Sequence, residues 1–307
     1  MNLIAEAKEL SKWYGQVIGV NKITIDINPG VTGLLGPNGA GKSTFLKLMV
    51  GLLKPSSGSI QVLGMPVWNN PDFSCRIGYC PEQDAFYRNM TGVQFVTNLA
   101  LLSGYSRYEA REKAMKALET VRLVDNKDRK VGAYSKGMRQ RIKLAQSLLH
   151  DPELLFLDEP LNGMDPISRR NTIRLVKELE EKGKSIIVSS HILHEIESMT
   201  NKILLISNGR IRAEGDVHEI RELIDEHPHN VHIICNKPRL MAAILVEYED
   251  VASIRINAED NSLVAETLKP DDFYSRLPEI VIENDIEISN LYSPDDNLQA
   301  VFKYLVG

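Results

Sequence analysis

The hydrophobic and polar positions of the first two thirds of the chain follow two different periods. Short continuous apolar runs predict buried β-strands, and longer segments with apolar residues every third or fourth position predict helices. The predicted strands are 31–35, 154–157 and 185–189. The predicted helices are 43–52, 109–122, 139–149, 166–182 and one from about 192, with Gly183 as a C-terminal cap of the fourth. Strands that alternate with helices indicate an α/β fold with a largely parallel sheet covered on both faces.

The pattern changes after about residue 225. Strands are predicted at 231–235, 252–257, 262–268 and 286–291, and helices at 238–248, 271–281 and 296–305. The order β-α-β-β-α-β is typical of a small α+β domain of the ferredoxin-like type. Residues 225–307 contain 6 basic and 16 acidic side chains, a net charge of −10, whereas residues 1–224 carry +5. We therefore expect two domains, 1–224 and 225–307.

The composition limits the class of protein. With 43% hydrophobic and 25% charged residues the chain is expected to be globular. No apolar run approaches the ~20 residues of a membrane-spanning helix, and we expect no secretory leader at Met1. The acidic tail argues against nucleic acid as a partner, because phosphate backbones attract basic surfaces. The three cysteines lack zinc-type spacing and are expected to be reduced thiols.

A glycine-rich loop follows the first predicted strand and matches the pattern G-x-x-x-x-G-K-[ST]. In such loops backbone N–H groups and a helix N-terminus converge on phosphate oxygens. We expect Mg²⁺-ATP here, with Lys42 at the β and γ phosphates, Ser43 on Mg²⁺ and Thr44 on the α phosphate. The residues expected to contact the nucleotide are Gly36, Pro37, Asn38, Gly39, Ala40, Gly41, Lys42, Ser43 and Thr44.

Two carboxylates, Asp158 and Glu159, end the predicted strand at 154–157. In a phosphate-loop enzyme Asp158 would orient Mg²⁺, often through water, and Glu159 would polarise the attacking water as a general base. Such a pair by itself could equally mark a strand that ends at the surface. The upstream loop favours the catalytic interpretation.

A segment between these two motifs, Tyr-Ser-Lys-Gly-Met-Arg-Gln-Arg at 134–141, points to a family. It resembles the signature of ATP-binding-cassette (ABC) proteins, Leu-Ser-Gly-Gly-Gln followed by Gln/Arg-rich residues. The resemblance covers residues 3 to about 220, with the motifs in family order. It implies a P-loop NTPase fold of the ABC type with a helical signature subdomain. This version of the signature is similar to that of cassettes paired with exporter-type permeases of the ABC-2 kind.

The same resemblance implies further site residues. Tyr14 stands where the family stacks an aromatic ring on adenine, although an aromatic residue there could also be core. Gln83 matches a glutamine that contacts Mg²⁺ and the attacking water. His191 matches a histidine that bonds the γ phosphate, although a lone histidine after a strand is usually structural. Asp165, in the loop 162–165, matches a segment that crosses the family's dimer interface.

The family's mechanism implies that two copies complete each site. ATP would lie between the phosphate loop of one copy and Ser135 and Gly137 of the other, where a helix N-terminus offers donors to the γ phosphate. The expected catalytic residues are Glu159, His191, Gln83 and Lys42. The expected Mg²⁺ ligands are Ser43, Gln83 and Asp158, and Asp165 joins the nucleotide-contacting set.

Three positions depart from the family pattern. Lys136 replaces the first glycine of the signature, Met138 replaces its glutamine, and Asn162 stands where a serine is usual. Ser135 and Gly137 are retained, so we expect an active site whose fine geometry at the interface loop is altered.

We therefore expect the ATP-hydrolysing subunit of an ABC transporter, a cytoplasmic protein held at the cytoplasmic face of the membrane by separate permease chains, with export favoured. Phe86 and Tyr87 are expected either to face the permease or to pack under the helical subdomain. A soluble cassette ATPase of translation or DNA maintenance and a non-hydrolysing regulatory cassette are the alternatives. The acidic domain could support homodimerisation, a regulator or the permease.

Overall fold

The computed structural model describes residues 3–216, 229–257 and 261–293. The chain divides into two compact units, Met1–Gly215 and Asp216–Gly307. The expected domain boundary between 224 and 225 lies outside the described residues and stays a prediction. Within the described ranges, no helix combines the length and apolar character needed to cross a membrane.

Two sheets form the framework of the first unit. A six-stranded sheet has the order β10-β9-β3-β8-β7-β6, in which β6, β7, β8, β3 and β9 pair in parallel. An antiparallel sheet has the order β2-β1-β4-β5. The strands are β1 (Ala5–Tyr14), β2 (Val17–Ile27), β3 (Val31–Leu35), β4 (Ser57–Val62), β5 (Met65–Pro66), β6 (Ile77–Cys80), β7 (Leu154–Asp158), β8 (Ser185–Ser190), β9 (Lys202–Ser207) and β10 (Arg210–Asp216).

The helices of this unit are α1 (Lys42–Met49), α2 (Pro71–Ser74), α3 (Gly92–Leu102), α4 (Arg107–Thr120), α5 (Lys136–Ser147), α6 (Pro166–Glu181) and α7 (Leu193–Glu197). Helices α3, α4 and α5 contact one another. Helices α4 and α5 begin earlier than predicted because Ser106 and Ser135 cap them. Helix α1 ends earlier than predicted because Gly51, at φ 73°, turns the chain into the left-handed region.

The buried strands confirm the predicted parallel sheet. Every residue of β3, β7 and β8 is buried, as expected for strands covered on both faces. Phe45 and Leu46 of α1 pack in one apolar cluster with Leu34 and Phe156. The antiparallel sheet was not predicted. Its strand β2 alternates buried and exposed positions and so buries only one face, a weaker signal than a continuous apolar run.

Within its described residues, the second unit contains one antiparallel sheet and two helices. Its elements are β11 (His229–Cys235), α8 (Pro238–Leu245), β12 (Val251–Asn257), β13 (Ser262–Thr267), α9 (Pro270–Glu283) and β14 (Ile288–Tyr292). The strand order is β12-β13-β11-β14. Val231, Ile233 and Leu263 form its core with Phe273 of α9. The helix predicted at 296–305 lies outside the described residues.

Candidate active site

The glycine-rich loop connects β3 to α1, and two of its glycines are required by close approach. A Cβ on Gly36 would collide with the carbonyl oxygen of Ile206. Gly41 precedes α1 at φ 107°, and a Cβ there would collide with the carbonyl oxygen of Gly19. The loop backbone therefore packs directly against the backbone of Ile206 and Gly19. The loop leads into the start of α1, where backbone N–H groups favour an anion.

Lys42, the first residue of α1, is buried under this loop with 6% of its surface exposed. Its Nζ donates to the carbonyl oxygens of Gly36 at 2.7 Å and Pro37 at 3.2 Å. The same atom lies 3.1 Å from Glu159 Oε1. The lysine thus links the phosphate loop to the end of β7.

Three neighbouring strands bring the charged groups together. Strands β3, β8 and β7 are adjacent and parallel, so the residues after their carboxyl ends meet at one edge of the sheet. Glu159 Oε2 lies 3.0 Å from His191 Nδ1. Glu159 is 4% exposed and adopts φ 48°, a left-handed conformation that is rare outside glycine. Lys42, Glu159 and His191 therefore form one continuous set of contacts.

Two serines at the end of β8 form hydrogen bonds in the region around Lys42, Glu159 and His191. Ser189 Oγ donates to Asp158 Oδ1 at 2.7 Å and accepts from Glu159 N at 2.9 Å. Ser190 Oγ donates to buried Glu195 Oε2 at 2.7 Å and accepts from Ile192 N at 3.1 Å. Neither serine was predicted as a site residue. The available signal was a pair of hydroxyl residues at the carboxyl end of a buried strand.

Burial raises the pKa of two side chains on the neighbouring strand β6. Burial, reinforced by the Asp158 carboxylate, raises the pKa of Tyr79, so its hydroxyl keeps its proton. Burial also raises the pKa of the Cys80 thiol to about 12, so this thiol is protonated at neutral pH. The side chains of Tyr79 and Cys80, on the strand next to Asp158, are therefore uncharged at neutral pH.

These groups border an open cleft of about 490 Å³. The predicted residues that line it are Tyr14, Asn38, Gly39, Gly41, Lys42, Ser43, Thr44, Glu159 and His191. Glu82 and Asn162 also line it and were not predicted to do so. Gly36, Pro37, Ala40 and Asp158 lie in the loop and strand around the cleft and do not line it. The Tyr14 hydroxyl is 3.5 Å from Thr44 Oγ1 and the side chain is about half exposed, so Tyr14 is not a core residue.

A second region, which we call the signature face, contains three further predicted residues that do not line the cleft: Ser135, Gly137 and Asp165. Ser135 Oγ caps α5 by accepting from Met138 N at 3.3 Å. Asp165 Oδ1 caps α6 by accepting from Ile167 N at 3.1 Å and Ser168 N at 2.9 Å. Hydrogen bonds from Ser168 lower the pKa of Asp165.

The starts of α5 and α6 lie side by side. A Cβ on Gly137 would stand 3.1 Å from Ser168 Oγ and 3.5 Å from Asp165 Oδ2. The Lys136 side chain lies across Gly163 in the loop before α6. The signature face therefore presents two neighbouring helix N-termini to the outside of this unit, apart from the cleft.

Known proteins with the same sequence pattern identify the family. The model of the ABC transporter family matches residues 20–162. The bacitracin transport ATP-binding protein BcrA of Bacillus licheniformis is 30% identical over all of this chain and 98% of its own length. The daunorubicin/doxorubicin resistance ATP-binding protein DrrA of Streptomyces peucetius is 31% identical over 98% of this chain and 92% of its own length.

The chain belongs to the ABC transporter family. It is an ATP-binding subunit of that family and an ATPase. A solved ATP-binding subunit of an ABC transporter superposes with a TM-score of 0.64 at 29% identity, covering 71% of this chain and 92% of that one. The predicted ABC ATPase fold of the first unit is confirmed.

The segment around Gln83 is attached to the signature helix α5 of the cassette. Gln83 is exposed and lies outside the cleft, whereas the adjacent Glu82 lines it. Lys143 Nζ, on α5, donates to the Glu82 carbonyl oxygen at 2.6 Å, and Arg139 Nε donates to Asp84 Oδ2 at 2.7 Å. Gln83 is thus placed next to the cleft on a segment that α5 fixes on either side.

The two aromatic residues after Gln83 differ in their surroundings. Tyr87 is 68% exposed. Phe86 is partly buried and packs edge-on against Phe95 of α3, with ring centroids 5.5 Å apart. Of the two alternatives, packing against the helical segment therefore applies to Phe86, and an exposed position applies to Tyr87.

The donor atoms near the cleft fit Mg²⁺. Magnesium is held by one or two carboxylates together with hydroxyl, water and phosphate oxygens. Ser43 lines the cleft, and the Asp158 carboxylate, at the end of β7, has one oxygen bound to Ser189. Both are oxygen donors of the type that the ion prefers.

Proposed function

We propose that this ATP-binding subunit drives export through a permease made of separate chains, by closing two copies on ATP and reopening them after hydrolysis. BcrA, named for bacitracin transport, and DrrA, named for daunorubicin/doxorubicin resistance, match nearly the whole chain, including its second unit. The form of the signature sequence at 134–141 also supports export. Attachment to the permease would hold the subunit at the cytoplasmic face of the membrane. A role in translation or DNA maintenance has no such support.

The contacts of Glu159 carry the catalytic part of this proposal. Its carboxylate lies between Lys42 at 3.1 Å and His191 at 3.0 Å, at the edge of the cleft. Both partners are donors suited to a γ phosphate. When they turn to the phosphate, the Glu159 carboxylate is released to accept a proton from the attacking water.

Magnesium would be held by Ser43, Asp158 and Gln83. When bound, the ion neutralises charge on the β and γ phosphates. Asp158 is buried and fixed by Ser189, so it is held in one orientation. Gln83 would reach the ion from the segment attached to α5.

The signature face would complete the site of a second copy. The exposed Ser135 and the buried Gly137 stand at the start of α5, where the helix dipole favours negative charge. Since this face lies outside its own cleft, its donors are available to a nucleotide held by another molecule. Asp165 and its loop would then cross the interface between the two copies.

Phosphate release by the purified chain tests the catalytic assignment. Glu159→Gln keeps the shape of the side chain and removes the base, so turnover should fall by about 10²–10⁴-fold while ATP binding persists. Glu153→Gln is the matched control, because Glu153 immediately precedes the same strand and pairs with Arg76 outside the cleft. Equal rates for wild type and Glu159→Gln would remove the catalytic assignment of Glu159.

The permease contact is proposed at Tyr87. Tyr87→Asp places a charge on an exposed aromatic site, so it should reduce recovery of the subunit with the membrane fraction of cells that express its permease. ATP affinity of the purified chain should be unchanged. Full recovery with membranes would place the contact elsewhere.

We further propose that the second unit is a ferredoxin-like accessory domain corresponding to 225–307, and that α3, α4 and α5 form the helical signature subdomain. The order strand, helix, strand, strand, helix, strand and the antiparallel sheet order β12-β13-β11-β14 support the first assignment. The mutual packing of the three helices, with the signature at the start of α5, supports the second.

A further inference from the structure

Ser189 is a fully buried hydroxyl residue at the carboxyl end of β8. It pairs across the sheet with Asp158, the last residue of β7. Its Oγ donates to Asp158 Oδ1 at 2.7 Å and accepts from Glu159 N at 2.9 Å. One hydroxyl therefore binds the side chain of the first carboxylate and the backbone of the second.

The second bond acts on an unusual backbone. Successive side chains of a strand point to opposite faces, so a continuing strand would turn Glu159 away from the side of Asp158. Glu159 instead adopts φ 48°, a conformation that costs free energy for a residue with a Cβ and persists only where its surroundings impose it. The bond from Glu159 N to Ser189 Oγ is one such constraint.

The chemistry of a hydroxyl suits this double role. It has one proton to donate and two lone pairs to accept with, so a single oxygen can serve both carboxylate residues at once. Alanine can make neither bond. The thiol of cysteine keeps a similar shape but is a weak donor and a weak acceptor.

A purely structural explanation is that a buried strand hydroxyl only satisfies a backbone N–H. Ser185, at the other end of β8, is an example, since its Oγ accepts from Gly30 N at 3.3 Å and it is also buried. Ser185 contacts no residue of the cleft, whereas Ser189 contacts both carboxylate residues. Both serines are buried in the same strand, but they bind different groups.

We propose that Ser189 is a positioning residue of the ATPase site, which orients Asp158 toward Mg²⁺ and fixes the backbone of Glu159 so that its carboxylate faces the nucleotide. The proposal rests on the roles proposed above for Asp158 and Glu159.

Steady-state hydrolysis by Ser189→Ala and Ser189→Cys, with Ser185→Ala as the matched control, tests it. Both Ser189 variants should lose about 10- to 100-fold in kcat, the usual effect of removing a group that orients a ligand residue, with KM for ATP little changed. Ser185→Ala should keep the wild-type kcat. As a readout independent of turnover, the Mg²⁺ concentration needed for ADP to raise the melting temperature should increase in the Ser189 variants only.

Wild-type kcat in Ser189→Cys would overturn the proposal, and so would an equal loss of kcat in Ser185→Ala. Ser189→Cys fills the site, so it decides the matter if Ser189→Ala does not fold. Glu159→Gln distinguishes a failure of the proposed catalytic role of Glu159 from a failure of the role of Ser189. Equal turnover by Glu159→Gln and wild type would remove the catalytic assignment itself, whereas a slow Glu159→Gln with a fast Ser189→Cys would remove only the role of Ser189.

Discussion

The cleft and the signature face hold their polar side chains in opposite ways. In the cleft, Glu159 contacts Lys42 and His191 at 3.0 to 3.1 Å, and these side chains come from segments that are distant in the sequence. On the signature face, Ser135 and Asp165 bond to backbone N–H groups of the helices that they cap. The cleft is thus a preassembled set of side chains, whereas the signature face offers the starts of two helices.

Because of this difference, substitutions in the cleft and on the signature face should cause different defects. Substitutions in the cleft should impair nucleotide binding or chemistry in a single chain, because the interacting groups belong to that chain. Substitutions on the signature face should leave nucleotide binding by one chain intact and impair only the step that needs a second copy.

Among the substitutions that compare these two regions, the largest effect is expected from Lys42→Ala. This change removes the cation between the phosphate loop and Glu159, and kcat/KM for ATP should fall by about 10²–10³-fold, as when a preorganised donor is lost. Lys136→Ala is the matched control, since Lys136 is an exposed lysine of the signature segment. Fluorescent ATP titration of both variants as dilute single chains checks the contrast. Similar losses of ATP affinity in Lys42→Ala and Lys136→Ala would contradict the difference expected between the cleft and the signature face.

A smaller loss, about 10²-fold in turnover, is expected from Ser135→Ala, because this residue would contribute one donor to the transition state. Mixing inactive Lys42→Ala with inactive Ser135→Ala should restore hydrolysis. Each mixed pair would contain one site with an intact loop facing an intact Ser135. Activity no greater than the sum of the separate variants would show that each site lies within one chain.

The smallest effect is expected from Tyr14→Ala. Loss of stacking on one base costs about 1 kcal/mol, or about fivefold in Kd. Tyr14→Phe keeps the ring and should bind ATP nearly as tightly as wild type, although it loses the 3.5 Å contact with Thr44. Unchanged affinity in Tyr14→Ala would place the base elsewhere in the cleft.

The sequence was most informative where local pattern and structure coincide. The apolar strands β3 and β7 and the glycine-rich loop were predicted within a residue or two, since continuous burial and close backbone approach leave direct traces in residue type. Glu159 was found because it follows such a strand. Lys42 was found through the loop motif itself.

Features that depend on pairing between distant segments were not predictable. Ser189 acts because β8 lies beside β7 in a register that opposes it to Asp158, and no local pattern encodes that register. Glu82 lines the cleft because Lys143 on α5 binds its carbonyl oxygen. The sequence left open whether Phe86 is exposed or packed, because its contact with Phe95 belongs to tertiary packing.

The separation of the signature face from the cleft also has a kinetic consequence. On the proposed pairing, a dilute subunit hydrolyses ATP only as often as two copies meet, so its specific activity should rise with protein concentration. A permease that holds two subunits side by side replaces that encounter by a high effective concentration. The same surface arrangement would thereby limit wasteful ATP consumption by subunits that have not yet been assembled.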